Sequence, residues 1–415
     1  MKIAKLTFLN FFSNSIKLIS TLILNKLFVI YIGQSGYVIV GQLMNLISVS
    51  NSLAGSSLSN GVISYTSKYS KNLSQTKRLL GTALITMFSM TLITSLLIVF
   101  FSSSLSKFIF QGFEFSNIFL FVIFTLPFAV FNSFLLAILN GKKKYYLLVS
   151  QNIAFHFFYF IALFLVIKFT GLESVVKIII LSSVINLLIT VLFIKQFYLK
   201  LFNNLKIIFD IKIFKKLLPY VFISGVSMML TPIIHILIRT TLVNQYDVSE
   251  SANWQGIVKI SDVFLIFFST TITMYLLPKF SSIRSSFLLR KEIYKSLIFF
   301  GVLAILFSIF IIFFRQHIIY LLFSSDFVGM NNLFFFQITG TIFRILAWIT
   351  GTLLIAKAYL KSYFIFEILF SLILVFLSIL LIGKWGAYGA TIGFFLTYLC
   401  ALLSILFFIC YKKII

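Results

Sequence analysis

Charge is scarce in this chain, and negative charge scarcer still. Only 10% of the 415 residues are charged, and Asp and Glu together number nine. A soluble protein of this length needs far more polar surface to stay in solution, so a soluble globular enzyme is excluded. Cysteine is almost absent. The two present, Cys400 and Cys410, both fall in the last apolar run. That placement excludes a disulfide framework or a cysteine metal site, and neither metal nor cofactor is expected. No connection between apolar runs exceeds about 20 residues, which leaves no room for a catalytic domain outside them. The loop acids Asp247, Glu250 and Asp326 are scattered. A P-loop is missing as well, so the chain does not hydrolyse ATP by that route. The opening MKIAKLTFLNFF has no small-residue cleavage site and runs into an apolar stretch longer than a signal-peptide core. It reads as a retained first helix.

What the chain has in abundance is apolar length. Hydrophobic residues make up 60% of it, with a mean hydropathy of +1.10. Runs long enough to cross a bilayer recur from end to end. They predict an all-α integral membrane protein of about twelve spans: 6–31, 38–66, 79–101, 117–140, 146–168, 174–196, 217–243, 253–278, 297–315, 332–356, 362–383 and 388–411. The longest connection, about 197–216, is basic and lies at the midpoint.

The formal charge of +25 would suggest nucleic acid in a soluble protein. Here it is explained by membrane topology, and no nucleic-acid partner is expected. Of the loop and boundary cations, 24 fall on one side of the predicted spans, among them Lys68, Lys142, Lys216, Lys279 and Lys412. The other side holds five: Lys107, Lys168, Lys177, Arg315 and Lys384. The positive-inside rule then places both termini in the cytoplasm, with an even number of spans. An internal repeat divides the chain into two six-helix lobes, 1–205 and 206–415. Lys68-Tyr69-Ser70 after span 2 parallels Lys279-Phe280-Ser281 after span 8. Gly141-Lys142-Lys143-Lys144-Tyr145 likewise parallels Tyr359-Leu360-Lys361-Ser362-Tyr363. Six spans per half give both halves one orientation, an arrangement suited to alternating access.

Five cations lie inside predicted spans: Lys17, Lys26, Arg239, Lys259 and Arg344, with two acids, Asp262 and Glu367. Each central Lys or Arg costs roughly 3 kcal/mol on insertion scales, so these residues must pair, snorkel or face water. Helical spacing places Asn10, Asn14, Lys17, Thr21 and Asn25 on one stripe of span 1. Span 2 carries a stripe through Gln42, Asn45, Ser52, Ser56 and Asn60; span 7 through Ser224, Thr231, His235 and Arg239, bent by Pro232. Span 8 aligns Gln255, Lys259, Asp262, Ser269 and Thr273; span 10 aligns Gln337, Thr341, Arg344 and Trp348. Together these stripes are expected to line a hydrophilic cavity between the halves. Lys26 lies about 180° from Lys17, so either span 1 bends or Lys26 snorkels outward. Arg239, near a helix end, has the same choice. Lys259 and Asp262, at i and i+3, either neutralise each other or serve substrate and coupling. Glu367 lies close to the cytoplasmic end of span 11, where an interfacial acid is the simpler assignment. His156 and His235 are isolated in sequence. With cations outnumbering acids, the cavity favours an anion such as a diphosphate bearing sugars.

At this point the sequence resembles the Wzx-type flippases of O-antigen and enterobacterial common antigen (lipid III) units, within the multidrug/oligosaccharidyl-lipid/polysaccharide exporters. Three regions carry the resemblance. The first holds Lys17 and Lys26, then Leu53-Ala54-Gly55, Asn60-Gly61-Val62 and Lys68-Tyr69. The second holds Asn244-Gln245-Tyr246, Trp254-Gln255-Gly256, Ser261-Asp262 and Tyr275-Leu276-Leu277-Pro278. The third holds Leu321-Leu322-Phe323-Ser324 and Ile355-Ala356-Lys357-Ala358. The resemblance implies a MATE-like fold and a repeat unit carried on undecaprenyl diphosphate from the cytoplasmic to the periplasmic leaflet of the bacterial inner membrane. It implies a substrate-binding role for Lys17, Lys26, Arg239, Lys259 and Arg344, beside the polar lining that the stripes give to Asn14, Thr21, Asn25, Asn45, Asn60, His235, Gln255 and Gln337. Proton- or sodium-coupled antiport is implied for the group, with Asp262 and then Glu367 as coupling candidates. Expected partners are the lipid-linked oligosaccharide, membrane lipids, and the polymerase and chain-length proteins of the same pathway. Two alternatives are weighed. Drug efflux on the same fold handles mostly cations and would call for cavity acids. An O-antigen polymerase or glycosyltransferase would need a large catalytic loop.

Overall fold

A computed structural model describes residues 2–110, 116–202 and 208–412, and the side chains of all of these but 2–12, 14, 73, 116–117, 196–202, 270 and 273. These residues are almost wholly helical, with no strand among them. Hydrocarbon offers backbone N–H and C=O groups no water, so each span must satisfy its own polar groups, and the helix does so locally.

The helices are α1 (Lys2–Leu53), α2 (Ser59–Lys68), α3 (Leu73–Phe110), α4 (Ser116–Gly141), α5 (Tyr145–Phe169), α6 (Leu172–Phe202) and α7 (Ile211–Gln245). They continue as α8 (Val248–Thr271), α9 (Leu277–Ser282), α10 (Ser286–Phe313), α11 (Arg315–Leu322), α12 (Phe334–Ala356) and α13 (Leu360–Tyr411). Among the described residues, ten helical segments are long and apolar enough to cross a membrane. Two of them, α1 and α13, run 52 residues and hold two spans each. The backbone leaves the helical region at Gly33 in the first (φ 64°, ψ −172°) and at Trp385 and Gly386 in the second. Dividing both at those points gives the twelve predicted spans.

Two expectations need correction. Span 2 is not one helix over 38–66. It stops at Leu53, turns through Gly55 at φ 117°, makes a 3-10 turn at Ser56–Leu58 and resumes as α2. A Cβ on Gly55 would lie 3.2 Å from the Met87 backbone, so both its φ and its neighbour suit glycine. Span 8 is irregular too, passing through a π-turn at Ile272–Leu276 into α9. The midpoint connection is also shorter than 197–216, because α6 reaches Phe202 and α7 begins at Ile211.

Two backbone turns recur at a constant offset, in a register other than the one drawn from the basic loops. After α4, Lys143 has φ 58°, with Lys143 N donating to Asn140 O and Lys144 N to Leu139 O. After α12, Ala358 has φ 63°, with Ala358 N donating to Ile355 O and Tyr359 N to Leu354 O. Both are Schellman turns closed by a residue other than glycine. Lys143 therefore matches Ala358, not Lys361, and Tyr145 matches Leu360. Gly171 (φ 78°) and Gly386 (φ 57°) repeat the same offset at the next turn.

Chain contacts group the molecule into two units, Met1–Ile236 and Leu237–Ile415, dividing inside α7 four residues after Pro232. Each has its own buried core. Tyr37, Leu43, Leu58, Leu79, Phe119 and Phe134 centre the first; Phe280, Phe323, Phe327 and Phe334 centre the second.

Candidate functional site

In the first unit the span 1 stripe separates into an open part and a buried part. Lys17 and Thr21 are exposed, whereas Asn25 is buried. The Thr21 hydroxyl donates to the Lys17 carbonyl oxygen at 2.8 Å, so its proton is used by its own helix. The Lys17 ammonium makes no hydrogen bond or ion pair among the described residues, and its charge reaches His156 on α5. Asn10 and Asn14 lie outside the residues whose side chains are described. The helix is unbroken from Lys17 to Lys26, its irregularity being at Gly33, so the two cations stay on opposite faces. Lys26 is half-buried and has a partner of its own.

The break in span 2 gives α7 a place to dock. Ser52 Oγ donates to Gly225 O at 3.3 Å, Asn60 Nδ2 to Ser224 Oγ at 2.9 Å and Tyr220 Oη to Ser64 Oγ at 3.3 Å. Asn60 is therefore engaged, while the buried Asn45 amide nitrogen meets no acceptor among the described residues. A second polar contact joins α5 to α6. Gln151 Nε2 donates to Asn186 Oδ1 at 2.6 Å and to Thr190 Oγ1 at 3.0 Å.

The second unit has a denser polar interior. His235 falls just before its boundary and is half-buried. Arg239 is 2% exposed and its guanidinium stands 5.8 Å from the ring centroid of buried Trp254, beside equally buried Gln255. Ser261 and Thr341 share a hydrogen bond, and Gln337 Nε2 donates to Ser261 Oγ at 3.4 Å, tying α8 to α12. Lys259 and Asp262 are both half-buried. Their i, i+3 spacing does not close into an ion pair, because Asp262 has neither hydrogen bond nor ion pair among the described residues while Lys259 does interact. Thr273 lies outside the described side chains. Glu367 is half-buried and within electrostatic reach of Tyr363.

Arg344 sits in a different environment. Its guanidinium carbon lies 5.1 Å from the Tyr398 centroid and 5.9 Å from that of Phe394. It has no hydrogen bond or ion pair among the described residues. The five intramembrane cations thus sort into two groups. Lys26, Arg239 and Lys259 have internal partners; Lys17 and Arg344, mid-span on polar stripes, keep their N–H donors for something else. A half-exposed cation in a low-dielectric setting attracts an anion strongly.

Some working residues escaped the sequence. Phe394 and Tyr398 gave no signal because 54 phenylalanines and 18 tyrosines blur any aromatic pattern. Glu250 was set aside as a scattered loop acid. Its Oε2 accepts from the backbone N–H of Ala387 at 2.7 Å, capping the helix that begins there, while Asp247 caps α8 by accepting from Glu250 N at 2.8 Å. A partner 137 residues away is invisible to local pattern.

No family model matches the chain. The lipid III flippase of Escherichia coli (strain K12) is 27% identical over 403 residues, covering 96% of both chains. Among solved structures, an inward-facing multidrug resistance MATE family transporter of the MOP superfamily superposes with a TM-score of 0.82 at 13% identity, over 96% of this chain and 94% of that one. The lipid II flippase MurJ in an inward closed conformation gives 0.78 at 17% identity, over 99% and 89%. At those identities the structures establish a fold. The described residues form an all-helical, two-lobe membrane protein of MATE-like fold, and the chain is similar over nearly all its length to a lipid III flippase.

Proposed function

We propose that the protein is a flippase that moves undecaprenyl-diphosphate-linked oligosaccharide repeat units, of O-antigen or lipid III type, from the cytoplasmic to the periplasmic leaflet of the bacterial inner membrane by alternating access. The carrying observation is the pair of mid-span cations, Lys17 and Arg344, whose N–H donors meet no acceptor among the described residues. A diphosphate supplies oxygens for both charge and hydrogen bonds. The relatives point the same way, since a lipid III flippase shares 27% identity across nearly the whole chain. Drug efflux draws support only from fold neighbours at 13% identity.

In this mechanism the head group enters from the cytoplasm while the polyprenyl tail stays in lipid. Lys17 and Arg344 replace the water that the head group gives up. Lys26, Arg239 and Lys259 set the positive field, and Lys26 snorkels from the opposite face of its helix. Asn14, Thr21, Asn25, Asn45, Asn60, His235, Gln255 and Gln337 line the polar path. Asp262 carries the coupling ion, with Glu367 as the second candidate. Both termini lie in the cytoplasm, the lobes are 1–205 and 206–415, and the polymerase and chain-length proteins receive the product.

Complementation of a flippase-deficient strain tests this. Wild type should restore surface glycan; Lys17→Ala and Arg344→Ala at normal protein levels should not, while Lys17→Arg and Arg344→Lys should retain function. Failure of the wild type in every lipid-linked glycan background would remove the assignment. Equal rescue by the alanine variants would remove the two cations from it.

A further inference from the structure

Among the described residues Arg344 meets no oxygen or nitrogen acceptor, and what holds it can be traced residue by residue. Two pairs at i, i+4 face each other across α12 and the second half of α13: Gly340 and Arg344 on one helix, Phe394 and Tyr398 on the other. The Phe394 and Tyr398 rings meet at 4.7 Å between centroids and 61° between planes. The Arg344 charge stands 5.9 Å from the first and 5.1 Å from the second. Gly340 makes the approach possible. A Cβ there would lie 2.7 Å from Phe394 Cδ1, closer than real Cβ contacts come, and a tight 3.0 Å from the Phe395 backbone.

The hydroxyl of Tyr398 makes no hydrogen bond among the described residues, so this tyrosine contributes its ring. Ring faces attract a guanidinium through their quadrupole but cannot accept its five N–H groups as oxygen would. A carboxylate in the same place would neutralise Arg344 and occupy its bidentate edge. The rings hold the charge and leave that edge available.

We propose that Gly340, Phe394 and Tyr398 are positioning residues forming an aromatic clamp that presents Arg344 to the diphosphate of the substrate. The proposal rests on the flippase assignment above. The clamp replaces part of the solvation that mid-membrane placement removes from the guanidinium, and restricts its rotamers before the anion arrives. A diphosphate is the class of ligand that benefits, since its paired oxygens match the planar fork of the arginine.

The test uses purified full-length protein in nanodiscs with farnesyl diphosphate as the probe and farnesol as the uncharged control. Wild type and Tyr398→Phe should bind the diphosphate alike. Tyr398→Leu and Gly340→Ala should bind it about 2- to 30-fold more weakly, the span expected for one cation–π contact. Introduced into Arg344→Ala, Tyr398→Leu should have no further effect, because the ring acts through the arginine. Monodisperse elution and an unchanged melting midpoint for the two tyrosine variants keep packing damage apart from clamp loss. If Tyr398→Leu weakens binding by the same factor with and without Arg344, or if Tyr398→Phe behaves like Tyr398→Leu, the clamp is wrong and the flippase assignment stands. A wild type that binds farnesyl diphosphate no better than farnesol overturns that assignment, and the clamp with it.

Discussion

At the scale of single residues, partners separate the cations more sharply than position does. Spacing alone placed Lys17 and Arg344 on polar stripes, and neither side chain meets an acceptor among the described residues. It also placed Arg239 on a stripe, yet that side chain is 2% exposed and lies against Trp254. The difference was not legible because periodicity gives a direction around a helix and says nothing of what stands opposite. Loss of a charge-assisted hydrogen bond to the head group should lower glycan export in Lys17→Ala by about tenfold or more at equal protein level, read by surface glycan staining. Asp262 was expected either to neutralise Lys259 or to carry an ion, and among the described residues the two form no ion pair. In proteoliposomes with an imposed proton or sodium gradient, Asp262→Asn should abolish stimulation by the gradient while leaving basal flipping measurable. Stimulation unchanged in Asp262→Asn and lost in Glu367→Gln would transfer the role to Glu367.

At the scale of elements, the spans were legible and their interruptions were not. Length and hydropathy gave twelve spans, but the Gly55 break and the π-turn at Ile272–Leu276 depend on contacts rather than composition. Gly55→Ala would force a Cβ into φ 117° and toward Met87, so its thermal midpoint in detergent should fall, with a cost of at least about 1 kcal/mol. The opposite sign is expected at Ala358, where φ is 63° without glycine. Ala358→Gly removes a left-handed penalty of roughly 1 kcal/mol, and the midpoint should rise. Glu250 links two helix starts, accepting from Ala387 N while donating its own N–H to Asp247. Glu250→Ala should lose about 1 kcal/mol of cap energy, whereas Glu250→Gln, which keeps an acceptor, should lose less. Scanning fluorimetry of the three proteins decides it.

At the scale of the whole molecule, the proposed topology rests on charge asymmetry, because 24 boundary cations against five is a bias that no uncertainty in span ends removes. In intact cells, a membrane-impermeant maleimide should label Lys384→Cys and spare Lys143→Cys, with Cys400 and Cys410 replaced by serine in both. The reverse pattern would invert the orientation. The register of the recurring turns was not legible, since short basic loops resemble one another and only the left-handed turns show which residues correspond. Those turns also give the two halves a common measure. Matching turns lie 215 residues apart, Lys143 with Ala358 and Gly171 with Gly386. The key cations do not follow that measure. Counting 215 residues back from Arg344 reaches Ala129, and 215 on from Lys17 reaches Pro232. Each half therefore carries its mid-span basic residue at a position of its own, one as lysine and one as arginine.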